Sequence, residues 1–218
     1  MNQPSYFSVC KNLIITDCMV LKKNFIGKYI DLVIWIVLST VVMAYILQNF
    51  GLNDSFGIFQ LGGVIGTIGL FNSFDHCIDF VIDLHNTQII KYRLTLPVPS
   101  YLVIASIIVY FFIYNMIFSI TLLPIGKLCL WNKLYISHIC FGKLFLSIIL
   151  QNIFYSIFAL LLATFLKNMH GIGSVWSRFI FPIWFLGGFQ FSWHALHITM
   201  PYFSYICLLN PIMYIMEA

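Results

Sequence analysis

Residues 101–123 read YLVIASIIVYFFIYNMIFSITLL, a run without one charged side chain. Wound as a helix at about 1.5 Å per residue, it is long enough to cross a hydrocarbon core of about 30 Å. No water in that core can satisfy exposed backbone polar groups, so a helix is the natural solution. The rest of the chain repeats the pattern. A second apolar stretch covers 29–47, with Asp31 at its edge, and a third covers 144–166, with Gln151 and Asn152 inside it. Residues 55–74 form a glycine-rich span holding Gly57, Gly62, Gly63, Gly66 and Gly69. There Gly62 and Gly66 make a small-xxx-small pair that admits a neighbouring helix. A fifth, shorter stretch at 179–193 is interrupted by Pro182 and Gly187-Gly188. Residues 194–211, punctuated by Pro201 and Pro211, read as short helices or a re-entrant segment at the external face.

Composition supports the same reading. Hydrophobic residues make up 61% of the 218, charged residues only 8%, and mean hydropathy is +0.95. A soluble domain carries about 25% charged residues. This excludes a cytosolic enzyme, a disordered chain and a nucleic-acid-binding domain, because the basic residues are scattered and form no phosphate-tracking stripe. The expected fold is an all-α polytopic bundle in one domain over 1–218, with an interfacial helix at 1–28 and five spans.

That N-terminal segment is broken by Lys11, Asp17, Lys22, Lys23 and Lys28, so it lacks the unbroken apolar core of a signal peptide. As a helix it puts Phe7, Ile14, Cys18, Leu21 and Phe25 on one stripe, opposite Ser5, Ser8, Asn12, Thr16 and Lys23. The pattern suits a helix lying in the membrane interface; the plainer reading is an extension of the first span. Placing the N-terminus inside assigns eight of the eleven Lys and Arg residues to the inner side and three, Lys127, Lys133 and Lys143, to the outer side. That is the favoured orientation. Five spans then leave residue 218 outside, and the odd number suggests that a sixth span is missing from this chain.

The inner loop 75–100 reads DHCIDFVIDLHNTQIIKYRLTLPVPS. Asp75, Asp79 and Asp83 are spaced by four and share one helical face, which cannot rest in lipid and must meet water or a partner protein. Lys91, Arg93 and the Pro97-Val98-Pro99 stop follow, making 75–93 a distinct inner region. As a catalytic cluster the carboxylates lack a placed His, Cys or Ser partner. No metal site is expected from them with His76, nor from His194 and His197, which lack a third ligand. Gln151 and Asn152 are read as interhelical glue in preference to a transport pathway. The six cysteines show no CxxC spacing and are read as small hydrophobes, although Cys129 and Cys140 share a loop. The aromatic excess is read as lipid-facing bulk and interfacial belt. No GxxxxGK[ST] loop for ATP occurs, and an intramembrane enzyme would need paired catalytic groups at membrane depth that are not there.

Residues 178–217 read RFIFPIWFLGGFQFSWHALHITMPYFSYICLLNPIMYIME. Pro182, Leu186, Gly188, Phe191, Ser192, Pro201, Asn210, Pro211, Tyr214 and Glu217 fall in the order Pro-x-x-x-Leu-x-Gly, Phe-Ser, Pro, Asn-Pro-x-x-Tyr-x-x-Glu. This resembles the C-terminal signature of the type-2 ATP-binding cassette (ABC) transporter permeases, an exporter family. The stretch YRLTLPVPS at 92–100 resembles the family segment that leads into the third span. The resemblance implies six spans, of which five are seen. It also implies a homodimer or paired permease in the cell (inner) membrane, with ABC ATPase subunits on the cytoplasmic face. Asp75, Asp79, Asp83 and Asn86 would lie on the coupling helix seated in the ATPase. ATP and Mg would belong to that partner, with no cofactor in this chain and no ATP hydrolysis by it. Cargo would pass between two permeases, against spans two and five; its identity is not readable. The alternative is a truncated or inactive permease-like protein that scaffolds others.

Overall fold

The computed structural model describes residues 6–51, 53, 56–131, 133–134, 139–166 and 171–217. Ser55, at the expected start of span two, and Lys167 lie outside them, as do residues 1–5 of the N-terminal segment. The described residues are helical with no strand. Four long helices carry the apolar stretches: α1 (Tyr6–Val41), α2 (Phe56–Ile82), α4 (Ser100–Leu130) and α5 (Phe141–Phe165), with the short α3 (Ile89–Leu94) between α2 and α4. Among the described residues, four segments are long and apolar enough to cross a membrane: Phe25–Phe50, Phe56–Thr87, Ser100–Leu130 and Phe141–Phe165. The chain is therefore an all-α integral membrane protein.

From Tyr6 to Val41 the described part of the N-terminal segment and most of the first span form one uninterrupted helix. Leu21 and Phe25, from its apolar stripe, pack into the bundle, and the Phe25 ring lies 5.5 Å from that of Phe118 on α4. Beyond Val41 the helix loosens into a π turn (Val42–Ile46) and a 3₁₀ turn that ends at Gly51.

The fifth stretch departs from expectation. Its helical part begins at Ile172 and ends at Phe185: α6 (Ile172–Val175), a π turn (Trp176–Ile180) and α7 (Phe181–Phe185). At about 1.5 Å per residue this piece falls short of a bilayer core. Pro182 falls inside this continuous piece, just after the π turn, where a proline cannot donate an internal hydrogen bond. Gly188, at φ +77°, then turns the chain away. The short helices expected after it are present as α8 (Trp193–Thr199), α9 (Pro201–Cys207) and α10 (Pro211–Met216).

Among the described residues two large apolar clusters and a small one around Ile107, Phe111 and Ala159 hold the bundle. One large cluster joins α1, α2 and α4 around Ile36, Val64, Phe118 and Leu122. The other large cluster joins α2, α5 and the α6–α7 piece around Leu70, Tyr155, Leu162 and Ile180. Lipid offers no hydrophobic drive between helices, so close packing and interhelical hydrogen bonds must supply the cohesion. The α2–α5 seam shows both. Tyr155, fully buried, donates its hydroxyl to Gly66 O at 2.6 Å, and Ser73 Oγ donates to Tyr155 O at 2.8 Å. Gln151 Nε2 donates to Ile65 O at 3.1 Å. Asn152 exchanges hydrogen bonds with Ser119 on α4 at 3.2 and 3.3 Å. The two in-span amides therefore bind helix to helix.

The close approaches are not quite where the small-xxx-small pair points. A Cβ at Gly62 would meet nothing within 4 Å among the described residues, whereas one at Gly66 would meet Met216 Sδ at 2.6 Å. The tightest seats on α2 are Gly69, against the Tyr155 ring at 2.2 Å, and Gly57, against Ala44 Cβ at 2.5 Å. The lysines of the loop after α4 also have a local use. Lys133 Nζ donates to Ala44 O at 2.7 Å and to Gln48 Oε1 at 2.5 Å, and Lys127 Nζ donates to Trp131 O at 2.7 Å and to Leu134 O. Cations suit the carbonyl-rich C-terminal ends of helices.

Candidate functional site

The region between α2 and α4 is built from α2 itself. The helix runs unbroken through Asp75 and Asp79 to Ile82, then loosens into a π turn at Asp83–Thr87. Gln88, left-handed at φ 57°, reverses the chain into α3. The three carboxylates part company here. Asp83 turns inward and caps α3: its Oδ1 accepts from Ile89 N at 3.0 Å and its Oδ2 from Ile90 N at 2.7 Å, while Thr87 Oγ1 donates to Oδ1. Asp79 is exposed, 3.9 Å from Lys28 Nζ on α1. Asp75 stands on the rim of an aromatic cavity. Asn86 is exposed at the tip, together with Ile89, Tyr92 and Leu94.

Capping by an acidic side chain contributes typically about 1 kcal/mol. Asp83→Ala is accordingly expected to lower stability by about that much and to raise amide exchange at Ile89 and Ile90, with α2 amides upstream of Asp79 unchanged; hydrogen exchange with peptide resolution reads it.

A second tie fixes the same region to α1. Arg93 forms a bidentate pair with Asp17, with Nη1···Oδ2 at 2.8 Å and Nη2···Oδ1 at 2.5 Å. Both side chains are nearly closed off from solvent, at 12% and 13% exposure. The hydrogen bonds that Arg93 donates to Asp17 raise the Arg93 pKa above its already high ordinary value, against the opposing cost of burial. Nothing in the sequence pairs these residues, which lie on α1 and α3. In the helical-wheel reading Asp17 is only one charge among several.

The cavity, of about 490 Å³, opens between α1, α2, α4 and the α6–α7 piece. Phe71 is its hub, with ring centroids 6.3 Å from Trp35, 5.9 Å from Trp176 and 5.6 Å from Trp184. Tyr114 and Phe181 extend the wall, and Lys28, Asp31 and Asp75 lie at the polar end. These rings come from four separate segments, so sequence alone reads them as membrane bulk.

The C-terminal signature residues serve the geometry of the terminal hairpins. Asn210 Oδ1 caps α10 through Ile212 N at 3.0 Å, and its Nδ2 donates to Ile183 O at 2.6 Å. Glu217 Oε1 accepts from Trp193 N at 2.6 Å and so closes the start of α8. Pro201 and Pro211 begin α9 and α10, and the Tyr214 side chain is exposed. His197 Nδ1 meets Ser204 Oγ at 2.8 Å, and its ring stacks on Trp193. Among the described residues no group of three or more His, Cys, Asp or Glu side chains is placed to hold a metal ion.

This arrangement has long spans, a carboxylate-rich tip braced to two helices, and a proline-started terminal hairpin set. The family profile described as ABC-2 type transporter matches residues 18–218. The chain belongs to the ABC-2 type transporter family. No curated relative and no solved structure matches it. Membership makes the chain the membrane permease component of an ABC transporter. In this family that component pairs with an ABC ATPase and is generally not catalytic itself.

Proposed function

We propose that the chain is the permease subunit of an ATP-driven exporter in the cell (inner) membrane, working as a dimer with its N-terminus and the 75–93 region on the cytoplasmic side. The ATPase is a separate chain that carries ATP and Mg. It seats on the tip around Asp75, Asp79, Asp83 and Asn86, and its closure pushes that tip. One observation carries this reading: the tip is braced on both sides, by the Asp83 cap on α3 and by the buried Asp17–Arg93 clamp on α1. A push on a braced tip moves α1 and α2 together, which is what alternating access between two arrangements of the spans needs. The bend at Pro182 and Gly188 gives the α6–α7 piece a place to yield.

The test is capture of the co-expressed P-loop ATPase by the tagged permease. Asp79→Lys combined with Asn86→Lys changes two exposed side chains and leaves the Asp83 cap and the Arg93 clamp in place. Captured ATPase is expected to fall at least about tenfold, equivalent to about 1.4 kcal/mol, with membrane insertion unchanged. Unchanged capture would remove the coupling role. The purified permease alone is expected to hydrolyse no ATP.

A further inference from the structure

The first turn of α5 is an uncapped, positively charged corner. Cys140 precedes it without a side-chain cap, and the turn carries no acidic residue. The first internal bond runs from Leu144 N to Cys140 O at 3.0 Å, so the N–H groups of Phe141, Gly142 and Lys143 find no backbone partner among the described residues. Lys143 adds a cation at the helix end where the dipole already disfavours one. Lys127 and Lys133, at the same end of the bundle, are taken up by backbone carbonyls, whereas Lys143 forms no ion pair or hydrogen bond among the described residues. A Cβ at Gly142 would meet nothing within 4 Å, which leaves the backbone open to close approach. Free N–H groups, a cation and a bare backbone together call for an anion.

Beside that corner a groove of about 350 Å³ runs between α2 and α5. Gly62 and Gly66 of α2 and Leu144 and Ile148 of α5 form much of its wall. Lys143, Ser147 and Gln151 also line it, spaced by four along one face of α5. Gln151 is only 2% exposed and gives its Nε2 to Ile65 O. Neither its Oε1 nor Ser147 Oγ takes part in a hydrogen bond among the described residues. Buried polar atoms are almost always paired, so the groove calls for an occupant that is polar near the corner and apolar beyond it. The span on α5 starts at Phe141, which sets the corner at the edge of the bilayer and the groove inside it. Gly62 is exposed, as are Ile58, Phe145 and Leu146 nearby, so the groove is open to lipid.

We infer that this corner and groove hold one anionic phospholipid. Its phosphate sits on the N–H groups of residues 141–143 and on Lys143 Nζ, and one acyl chain lies over Gly62 and Gly66. Ser147 Oγ donates to an ester carbonyl, and a water of the same ester layer reaches Gln151 Oε1. Basic pockets between membrane helices favour anionic headgroups. The lipid is a resident of the α2–α5 seam, not cargo, and its binding requires neither the ATPase nor transport.

The full chain in detergent, stripped of co-purified lipid, is titrated with palmitoyl-oleoyl phosphatidylglycerol and with the phosphatidylcholine of the same two chains. Native mass spectrometry counts bound lipid and yields each affinity. One saturable site is expected, with phosphatidylglycerol at least about fivefold tighter, the worth of one basic residue at a lipid surface. Lys143→Ala is expected to weaken phosphatidylglycerol about fivefold and to erase the gap between the two lipids. Gly62→Phe fills the groove and is expected to weaken both lipids about tenfold while keeping the preference between them. Circular dichroism checks that this variant folds; if it does not, Lys143→Ala, a surface change, decides the case alone. Lys23→Ala, an exposed lysine near the other end of the bundle, leaves both affinities unchanged. Inorganic phosphate does not displace the lipid, because it lacks the chain. The proposal is overturned by absence of a saturable site, by phosphatidylcholine binding as tightly, or by a Lys143→Ala variant that binds as the parent does. An equal loss with Lys23→Ala overturns it too. Displacement by inorganic phosphate, or a folded Gly62→Phe variant with unchanged affinity, would show that no chain occupies the groove and overturns it as well.

Discussion

Arg93→Ala is expected to destabilise the folded permease by about 3–5 kcal/mol, the cost of leaving one partner of a buried ion pair uncompensated. The geometry explains the size. The guanidinium and the Asp17 carboxylate meet through two parallel hydrogen bonds of 2.8 and 2.5 Å, and each side chain is only 12–13% exposed. Exposed pairs contribute far less; Lys28–Asp79, at 3.9 Å and on the surface, belongs to that weaker class. Arg93→Lys is not a conservative rescue, because an ammonium cannot reproduce the planar fork. Denaturation of the detergent-solubilised protein, followed by circular dichroism, reads the loss. A double-mutant cycle with Asp17→Ala shows whether it belongs to the pair: the two losses should be strongly non-additive, since the second truncation removes the orphaned charge. Additive losses would mean that α1 and α3 are held by something else.

Gly69→Val is the second large effect. A Cβ at Gly69 would fall 2.2 Å from the Tyr155 ring, and Tyr155 cannot retreat because it is fully buried and its hydroxyl is bonded to Gly66 O. Overpacking of this kind costs about 1–3 kcal/mol, occasionally more. In an ordinary helix replacing glycine with a side chain gains up to about 1 kcal/mol, so the sign of the change itself discriminates. The account expects net destabilisation of about 2 kcal/mol or more, with the α2–α5 seam opening. Tyr155→Ala in the same chain makes room, so the valine should then cost little or become favourable. Valine tolerated beside an intact Tyr155 would show that the seam is not packed as described. Gly62→Val provides the contrast, because nothing stands within 4 Å of that position among the described residues and little loss is expected.

These two sites show where sequence reading reaches and where it stops. The long spans were legible because each is an unbroken apolar run, and lipid forces such a run to be helical. Gln151 and Asn152 were legible as interhelical glue, because an amide at that depth must find a partner; Ile65 O and Ser119 supply them. The glycine pattern pointed to the right helix and, at Gly66, to one of its close approaches, while Gly62 stands open among the described residues. Spacing reveals that a face is small, not which residue meets a partner ring, so Gly62 was paired with Gly66 whereas the Tyr155 ring packs on Gly69. The carboxylate triplet was legible as one face of a helix. Its division into an inward cap at Asp83, an exposed Asp79 and a cavity-rim Asp75 depends on the π turn after Ile82, which no spacing announces. Likewise Pro182 and the paired glycines announced a break in the fifth stretch. Its bounds were placed about seven residues late because helix boundaries around a proline depend on tertiary contacts, here Gly187 and Gly188 against Ile212 and Met213. Pairings across distant elements, such as Asp17 with Arg93 or Trp35 with Trp176 around Phe71, leave no trace in a single sequence.

The central claim is that the braced tip faces the cell interior, where an ATPase can reach it, while the α8–α9 hairpin lies on the opposite side. Single cysteines at Asn86 and at Tyr202, both exposed, are introduced into a Cys140→Ser chain, which removes the one native thiol classed as exposed among the described residues. Intact cells are treated with a membrane-impermeant maleimide, and labelling is measured above that parent. Strong labelling at Tyr202→Cys, with labelling at Asn86→Cys appearing only after permeabilisation, is the predicted result. Labelling of Asn86→Cys from the outside medium, with Tyr202→Cys protected until the cells are opened, would contradict it.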